Sequence, residues 1–385
     1  MSETWRIDIE NHSGNIVASL KNFQYFSCEI RVARRESFRI QLAYEDPQAQ
    51  LILPDYIARV WYKNTTYNIP WTNIFNGIIK TPSGVFYSNG RKLKIFYGSG
   101  NNEIIDKALV MYPAGTPQAA KSGEPVAIIE EYLRENIGVD ALIANGRYFD
   151  HVNPITLNPI GVTSLLYETD EAHSNLIKVL QDIRDYSYLN NDRIDFQAVY
   201  NENYTWRIDF GKIYQDKTIN GLDINTGKNG VGNVPIILSP KYNNLDGYVE
   251  TFSRIAEENA ILALGRYLGS SRETITVSDA ASIAYSPIAQ REGLLQAQNT
   301  NDLSSVADAT LRDRVGRVSL SMEPKLNEAF ALFRDINVGD FFTVLSLDES
   351  VVSNKQFDEL KIVVQQTTGG STISQYTMFA EDREP

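Results

Sequence analysis

The stretch Arg91-Lys92-Leu93-Lys94-Ile95-Phe96-Tyr97 alternates charged and apolar side chains with a period of two and ends in two aromatic residues. Such alternation is typical of a β-strand with one buried face. The same pattern occurs at Trp5–Ile9 and at Phe38–Leu42. Asn89-Gly90, directly before the quoted stretch, predicts a hairpin. Several short strands at this spacing predict a small barrel or sandwich over the first hundred residues.

The pattern changes after about residue 112. Residues 124–136 predict a helix, because apolar side chains recur there at spacings of three and four. Residues 174–188 predict a second helix on the same grounds, and two strands follow near 193–199 and 205–210. Residues 116–215 are therefore expected to form an α+β insertion domain.

The rest of the chain returns to β patterns. Residues 219–234 are rich in Gly and Asn and predict a loop, and residues 301–316 are a third helix candidate. Strands are expected at 317–322, 341–347, 359–366 and 375–380, with Gly369-Gly370 turning the last pair into a hairpin.

Composition limits the possible functions. The chain has 385 residues, which predicts two or three domains, and a net charge of -12 without a strongly basic segment. A duplex-binding protein normally carries a basic patch, so DNA is expected only as passing cargo. One cysteine excludes an internal disulfide, and neither a secretory signal nor a long apolar run is found, so no membrane anchoring is expected.

Motifs for catalysis or cofactor binding are weak. His12, His151 and His173 have no metal-ligand spacing, and Gly227–Gly232 lacks the order of a phosphate loop, as does Gly98-Ser99-Gly100. No nucleophile elbow is present. We therefore predict no catalytic, cofactor-binding or metal-binding residues, no cofactor and no enzymatic activity.

The remaining candidate residues each have a structural interpretation. Cys28 lies in an apparent strand and is more typical of a small buried residue than of a nucleophile. Three carboxylate pairs are expected on solvated faces, although an acid/base pair assembled from distant residues stays possible. They are Glu130/Glu131, Asp182/Asp185 and Glu257/Glu258.

Arginines and aromatic residues suggest two possible contact surfaces. Four arginines between Arg31 and Arg39 either line a partner surface or protect an edge strand. Trp61-Tyr62, Tyr67 and Trp71 either bind carbohydrate or, as we favour, pack on strands.

Four segments of the second half resemble the hub family of tailed-bacteriophage tail tips and baseplates. They are the helix Leu176–Ile183, the run Asn259–Gly265 with Arg272 and Arg291-Glu292 downstream, the helix with Leu303, Ala307 and Leu311, and Asn337–Phe342 before the closing hairpin. The resemblance covers about residues 160–385, and the N-terminal block fits by pattern only.

The resemblance implies a homotrimer in which two small β-barrel domains per chain give a pseudo-six-fold ring. The expected first barrel is 1–115, the second is 216–270 with 317–385, and 271–316 is a helical segment packing with the insertion. Such a hub closes the distal tail tube in the virion after assembly in the host bacterial cytoplasm and gates DNA ejection. Its implied partners are distal tail or tube ring proteins, the tape-measure protein, and tip fibres or a spike. The acidic balance would suit a conduit that repels DNA phosphates. The interface residues stay unknown.

Three other functions remain open. A hexameric distal tail protein also begins with a β-barrel, although it usually adds a galectin-like β domain. A receptor- or carbohydrate-binding tail module would need the exposed aromatics named above. The last of them, a peptidoglycan hydrolase, would need a carboxylate pair or a metal triad that the sequence does not reveal.

Overall fold

The chain is mainly β, with several sheets and a few helices. A computed structural model describes residues 3–111, 119–141, 155–171, 173–190, 192–201, 205–218, 235–254, 257–268, 271–285, 290–296, 303–314, 317–345, 352–366 and 372–381. In chain order the strands are β1 (Glu3–Glu10), β2 (Ile16–Leu20), β3 (Tyr25–Arg31), β4 (Ser37–Ala43), β5 (Ile57–Asn64), β6 (Ile69–Phe86), β7 (Lys92–Gly100), β8 (Ala119–Gly123), β9 (Thr156–Ile160), β10 (Tyr167–Glu171), β11 (Asp195–Tyr200), β12 (Trp206–Gly211), β13 (Ile237–Leu238), β14 (Leu245–Ser253), β15 (Ala260–Leu268), β16 (Ser271–Ser278), β17 (Glu292–Gln296), β18 (Arg317–Pro324), β19 (Phe341–Leu345), β20 (Val352–Gln366) and β21 (Thr372–Glu381). The α-helices are α1 (Glu103–Asp106), α2 (Pro125–Asn136), α3 (Leu176–Leu189), α4 (Ala280–Tyr285) and α5 (Leu303–Asp313).

One sheet of 13 strands joins the two ends of the chain. Its main order is β14-β18-β21-β20-β3-β4-β7-β6-β5-β1-β2, with β19 beside β20 and β13 beside β19. The antiparallel pairing of β3 with β20 places Cys28 opposite Ile362 and connects the N-terminal strands to the C-terminal ones. The predicted class, mainly β with an α+β insertion, is confirmed. The division into two barrels stays a prediction, because both blocks share this sheet.

A single hydrophobic cluster lies behind the large sheet. Phe26, Ile40 and Phe96 from the N-terminal block are fully buried in it together with Ile362 and Val364 from the C-terminal block. The alternation seen in the sequence produces this cluster, since every second side chain of β3, β4 and β20 points into it. The two blocks therefore share one core.

The predicted helices of the insertion are confirmed. Pro125 begins α2 and the Glu124 side chain accepts a hydrogen bond from the Ala127 backbone N–H, which satisfies a free donor of the first turn. Asn175 caps α3 in the same way through Lys178. Both helices contribute to a second hydrophobic cluster, beside the three-stranded sheet β11-β12-β9.

Buried polar contacts tie the insertion to the large sheet. The Tyr200 hydroxyl of β11 donates to Glu10 of β1 at 2.5 Å, and Arg59 of β5 pairs with the same carboxylate at 2.7 Å. Farther along, Gln356 of β20 donates to the Tyr188 hydroxyl at 2.9 Å. Because these groups are buried, removing one side chain would leave the polar group of its partner without a hydrogen bond.

A small sheet with order β16-β15-β17 carries α5 on one face. Ala263, Leu303 and Ala307 form its hydrophobic centre. The second barrel was predicted to include residues 216–270. In the structure, β15 at the end of this range pairs with β16 and β17 rather than with a strand of the large sheet. The helix predicted at 301–316 is confirmed as α5.

Two antiparallel strand pairs of the large sheet correspond to predicted hairpins. The hairpin predicted at Asn89-Gly90 joins β6 to β7, and Gly90 adopts a φ of 83° there, which favours glycine. Strands β20 and β21 pair as the closing hairpin, while Gly369-Gly370 lies outside the described residues, as does the loop predicted at 219–234.

Candidate functional site

The two histidines that the structure describes, His12 and His173, belong to no metal-ligand group. His12 is exposed and packs edge-on against Tyr56, with ring centroids 5.3 Å apart. His173 is exposed and has a φ of 60°, whereas His151 lies outside the described residues. Within the described part of the chain, no group of three or more His, Cys, Asp and Glu side chains could hold a metal ion.

Of the two glycine-rich segments, the one that the structure describes, Gly98-Ser99-Gly100, does not form a phosphate loop. Gly227–Gly232 lies outside the described residues, and Gly98 lies inside β7. A Cβ added to Gly98 would come within 2.2 Å of both the Ile78 carbonyl oxygen and the Phe38 ring. This glycine therefore allows a close approach of the backbone to its neighbours.

Cys28 is a buried core residue, as predicted. Its exposure is 1%, and its side chain belongs to the hydrophobic cluster behind the large sheet. Burial raises the pKa of the thiol well above its usual value, so the reactive thiolate is disfavoured.

Two of the carboxylate pairs lie on the insertion helices α2 and α3. Glu131 of α2 pairs with Lys121 at 2.9 Å, and Glu130 beside it is half-buried. Asp185 of α3 pairs with the preceding arginine at 2.7 Å. Asp182, one turn earlier, keeps part of its surface in solvent, but desolvation of its carboxyl raises its pKa to about 7.

Glu257 holds the small sheet in place. Its carboxylate accepts hydrogen bonds of 2.6 Å each from Arg254, Arg291 and the Ser282 hydroxyl. The hydrogen bond from Arg254 contributes most to lowering the pKa of Glu257 to about 2. Glu258 pairs separately with an arginine at the end of α5, so the two neighbours do not act as a pair.

The aromatic residues proposed for carbohydrate binding do not form an exposed row. Tyr62 is fully buried, and the Tyr67 hydroxyl donates at 2.9 Å to a backbone carbonyl in the segment that follows β18. Arg6 lies between the rings of Trp61 and Trp71, at 5.3 and 5.0 Å from their centroids. This geometry fits strand packing with cation–π contacts.

The arginine-rich stretch does not protect an edge strand, and that interpretation is wrong. Strand β3 lies between β4 and β20 in the interior of the large sheet. Three of the four arginines pair with carboxylates of neighbouring segments, namely Arg31, Arg34 and Arg35. Sequence alternation could not reveal this, because it does not identify the strand that pairs with β3.

The large sheet has a polar face opposite its core. We call this the polar face: the side of the eight strands β14, β18, β21, β20, β3, β4, β7 and the second half of β6 that does not face the core cluster. Paired positions form rows that cross the strands. One such row is Gln375, Val363, Ser27, Arg39, Tyr97 and Thr81.

Hydroxyl and amide side chains are common on the polar face. Ser27, Ser37, Ser321, Thr377 and Gln375 all lie on it. Sequence analysis did not assign this face. The alternation within each strand was visible, but the rows exist only once the strands are paired.

Charge on the polar face is balanced. Its described charged side chains are three carboxylates and three cations: Glu29, Glu323, Glu359, Arg31, Arg39 and Lys361. Arg31 pairs with Glu359 at 2.7 Å and with Glu29 at 3.0 Å. The net charge of -12 on the whole chain is therefore not concentrated on this face.

Comparisons with known proteins identify the fold. No protein-family model matches the sequence, and no curated protein matches it. Among solved structures, the 43 kDa tail protein of prophage MuSo2 from Shewanella oneidensis matches with a TM-score of 0.57 at 8% identity, over 98% of each chain. The tail protein from Neisseria meningitidis MC58 matches with a TM-score of 0.56 at 10% identity, over 98% of this chain and 97% of that one.

The chain has a tail-protein fold. A prophage tail protein from Listeria monocytogenes EGD-e matches as well, with a TM-score of 0.52 at 10% identity, over 98% of this chain and 94% of that one. The match covers 94% or more of each of these three tail proteins. No helix in the described residues is long and apolar enough to cross a membrane.

Proposed function

We propose that the protein is a structural, non-catalytic hub of a phage tail tip or baseplate. In this role it closes the distal end of the tail tube, connects it to the tip components and gates DNA ejection. The tail-protein fold supports the assignment to a tail. The observation that carries the hub role is the polar face, because it combines hydroxyl-rich rows with balanced charge over eight strands.

A wall along which DNA slides should offer neither a large apolar patch nor a strong positive field. The polar face meets the second condition, since its described cations are matched by carboxylates in number. The wall formed by the polar face would therefore be close to neutral, whereas the net charge of the whole chain suggested an acidic wall. DNA passing such a wall would neither bind tightly nor be strongly repelled.

Open strand edges support a ring of identical copies. Among the described residues, β14 pairs only with β18, and the second half of β6, Lys80–Phe86, pairs only with β7. By contrast, the third edge, at β2, is partly protected because the Ser19 backbone N–H donates to the Gln48 side chain. Unpaired edges invite pairing with another chain, and a closed ring leaves none of them free.

The polar face ends at an open edge on both sides. If β14 of one copy pairs with β6 of the next, the face continues from copy to copy and closes into a wall. A homotrimer built in this way would present six similar lobes toward a ring of distal tail or tube proteins. The tape-measure protein and tip fibres or a spike complete the proposed set of partners in the virion.

Negative-stain electron microscopy of the purified chain tests this proposal. A three-fold ring with six lobes and a central hole is expected. A true six-fold ring would instead identify a hexameric distal tail protein. If the chain stays monomeric both alone and when mixed with tube components, the hub role is contradicted.

A further inference from the structure

An open depression of about 340 Å³ lies on the polar face. Its lining includes Arg39, Tyr25, Tyr97, Ser27 and Ser37 and one acidic residue, Glu29. We call this feature the Arg39 depression. Lys361 lies at its rim from the neighbouring strand β20.

Arg39 is held rigidly across the depression. Its guanidinium lies over the Tyr25 ring at 5.5 Å and over the Tyr97 ring at 5.6 Å. With the Gln41 amide oriented to present its oxygen, that oxygen accepts hydrogen bonds from Nε, at 2.9 Å, and from Nη2 of Arg39. An arginine fixed between two rings loses little side-chain freedom when it binds a further partner.

The carboxylates around Arg39 are paired with other cations and do not neutralise its charge. Glu29 pairs with Arg31 at 3.0 Å, lies 3.8 Å from Lys361 and accepts a hydrogen bond from the Ser37 hydroxyl at 3.2 Å. Glu359 pairs with Arg31 at 2.7 Å. Two carboxylates are thus matched by two cations. Among the described contacts of Arg39, none is to a carboxylate, so the depression carries one unmatched positive charge.

We infer that the Arg39 depression binds one phosphate group of nucleic acid. The outer N–H groups of the guanidinium, on Nη1 and Nη2, can donate to phosphate oxygens, and the Ser27 hydroxyl of the same depression can donate as well. One contact per copy would be weak and independent of base sequence. The choice of passing DNA as the ligand rests on the proposed hub function, whereas the binding site itself does not.

Fluorescence anisotropy of a labelled DNA duplex with the full-length chain at low salt tests the inference. Weak binding is expected for the wild type, with several-fold weaker binding for Arg39→Gln and an intermediate reduction for Arg39→Lys. The slope of log affinity against log salt should become less steep by about 0.9 for each phosphate that is no longer bound. Thermal melting of each variant establishes that it is folded.

Arg134→Gln is the matched control, because it removes the same charge from an exposed position on α2. Equal DNA affinity of the Arg39 and Arg134 variants would overturn the inference, as would a wild type that does not bind. Binding of inorganic phosphate at Arg39 without any binding of the duplex would refute nucleic acid as the ligand. None of these outcomes depends on the ring symmetry, so the hub proposal is tested separately.

Discussion

Arg31 of β3 and Glu359 of β20 form an ion pair of 2.7 Å although 328 positions separate them in the chain. The pair crosses the point where the N-terminal and C-terminal strands become one sheet. Both side chains are partly exposed, so the pair itself contributes only about 0.2–1 kcal/mol. The shared core beneath it must therefore supply most of the energy that holds the two blocks together.

Ile362→Ala should destabilise both blocks at once. Ile362 is fully buried opposite Cys28, and removing a buried isoleucine side chain costs about 2–5 kcal/mol. Urea unfolding followed by tryptophan fluorescence would report mainly on the N-terminal block, where three of the four tryptophans, Trp5, Trp61 and Trp71, lie. Ile373→Ala is the control, because Ile373 is 53% exposed. An unchanged N-terminal transition in Ile362→Ala would contradict a shared core.

Gly98→Ala should destabilise the fold by about 1–3 kcal/mol through overpacking. The added Cβ would come within 2.2 Å of the Ile78 carbonyl oxygen, which is backbone and cannot rotate away. Thermal or urea unfolding measures the decrease in stability. Gly123→Ala serves as the comparison, since its Cβ would meet nothing within 4 Å. Equal stability of the two variants would show that Gly98 is not needed for close packing.

Glu257→Gln should lower the melting temperature at pH 7, and this difference should shrink in acid. The folded pKa of Glu257, about 2, lies below the ordinary value of 4.5. The stabilisation is therefore complete above pH 4.5 and is lost as the pH falls from 4.5 toward 2. Melting curves over this range measure the effect, with Glu250→Gln as an exposed control. A difference that stays constant down to pH 2 would argue against the charged network.

Val249→Cys combined with Ser83→Cys should allow covalent trimers to form. Val249 is 64% exposed on the open edge of β14, and Ser83 lies on the open half of β6. The native Cys28 should not interfere, because its thiol is buried and its pKa is raised. A short bismaleimide crosslinker followed by denaturing electrophoresis would reveal the products.

Each single cysteine variant is the control for this experiment and should give no covalent trimer. A covalent dimer from Val249→Cys alone would indicate that two β14 strands pair with each other, contrary to the ring arrangement. Three-fold rings that form without any crosslink would be consistent with the hub proposal, but they would refute the pairing of β14 with β6 of the next copy.

Local structure was largely predictable from the sequence. The periodicity of residues 124–136 and 174–188 predicted α2 and α3 to within two residues at each end, and the alternation at Arg91–Tyr97 predicted β7. The candidate site was not predictable in the same way. Arg39 and Tyr97 are 58 positions apart, and their proximity follows from the pairing of β4 with β7.

The sequence by itself determined which segments are helices and strands and which side of each strand is apolar, because these depend on the local spacing of side chains. Only the tertiary structure decided which strands are neighbours. It placed β3 in the interior rather than at an edge, and it put β15 in the small sheet. The physical reason is that any strand with an apolar side offers the same backbone donors and acceptors. Its partner is selected by packing between residues far apart in the chain, such as Phe26 and Val364, which no local pattern records.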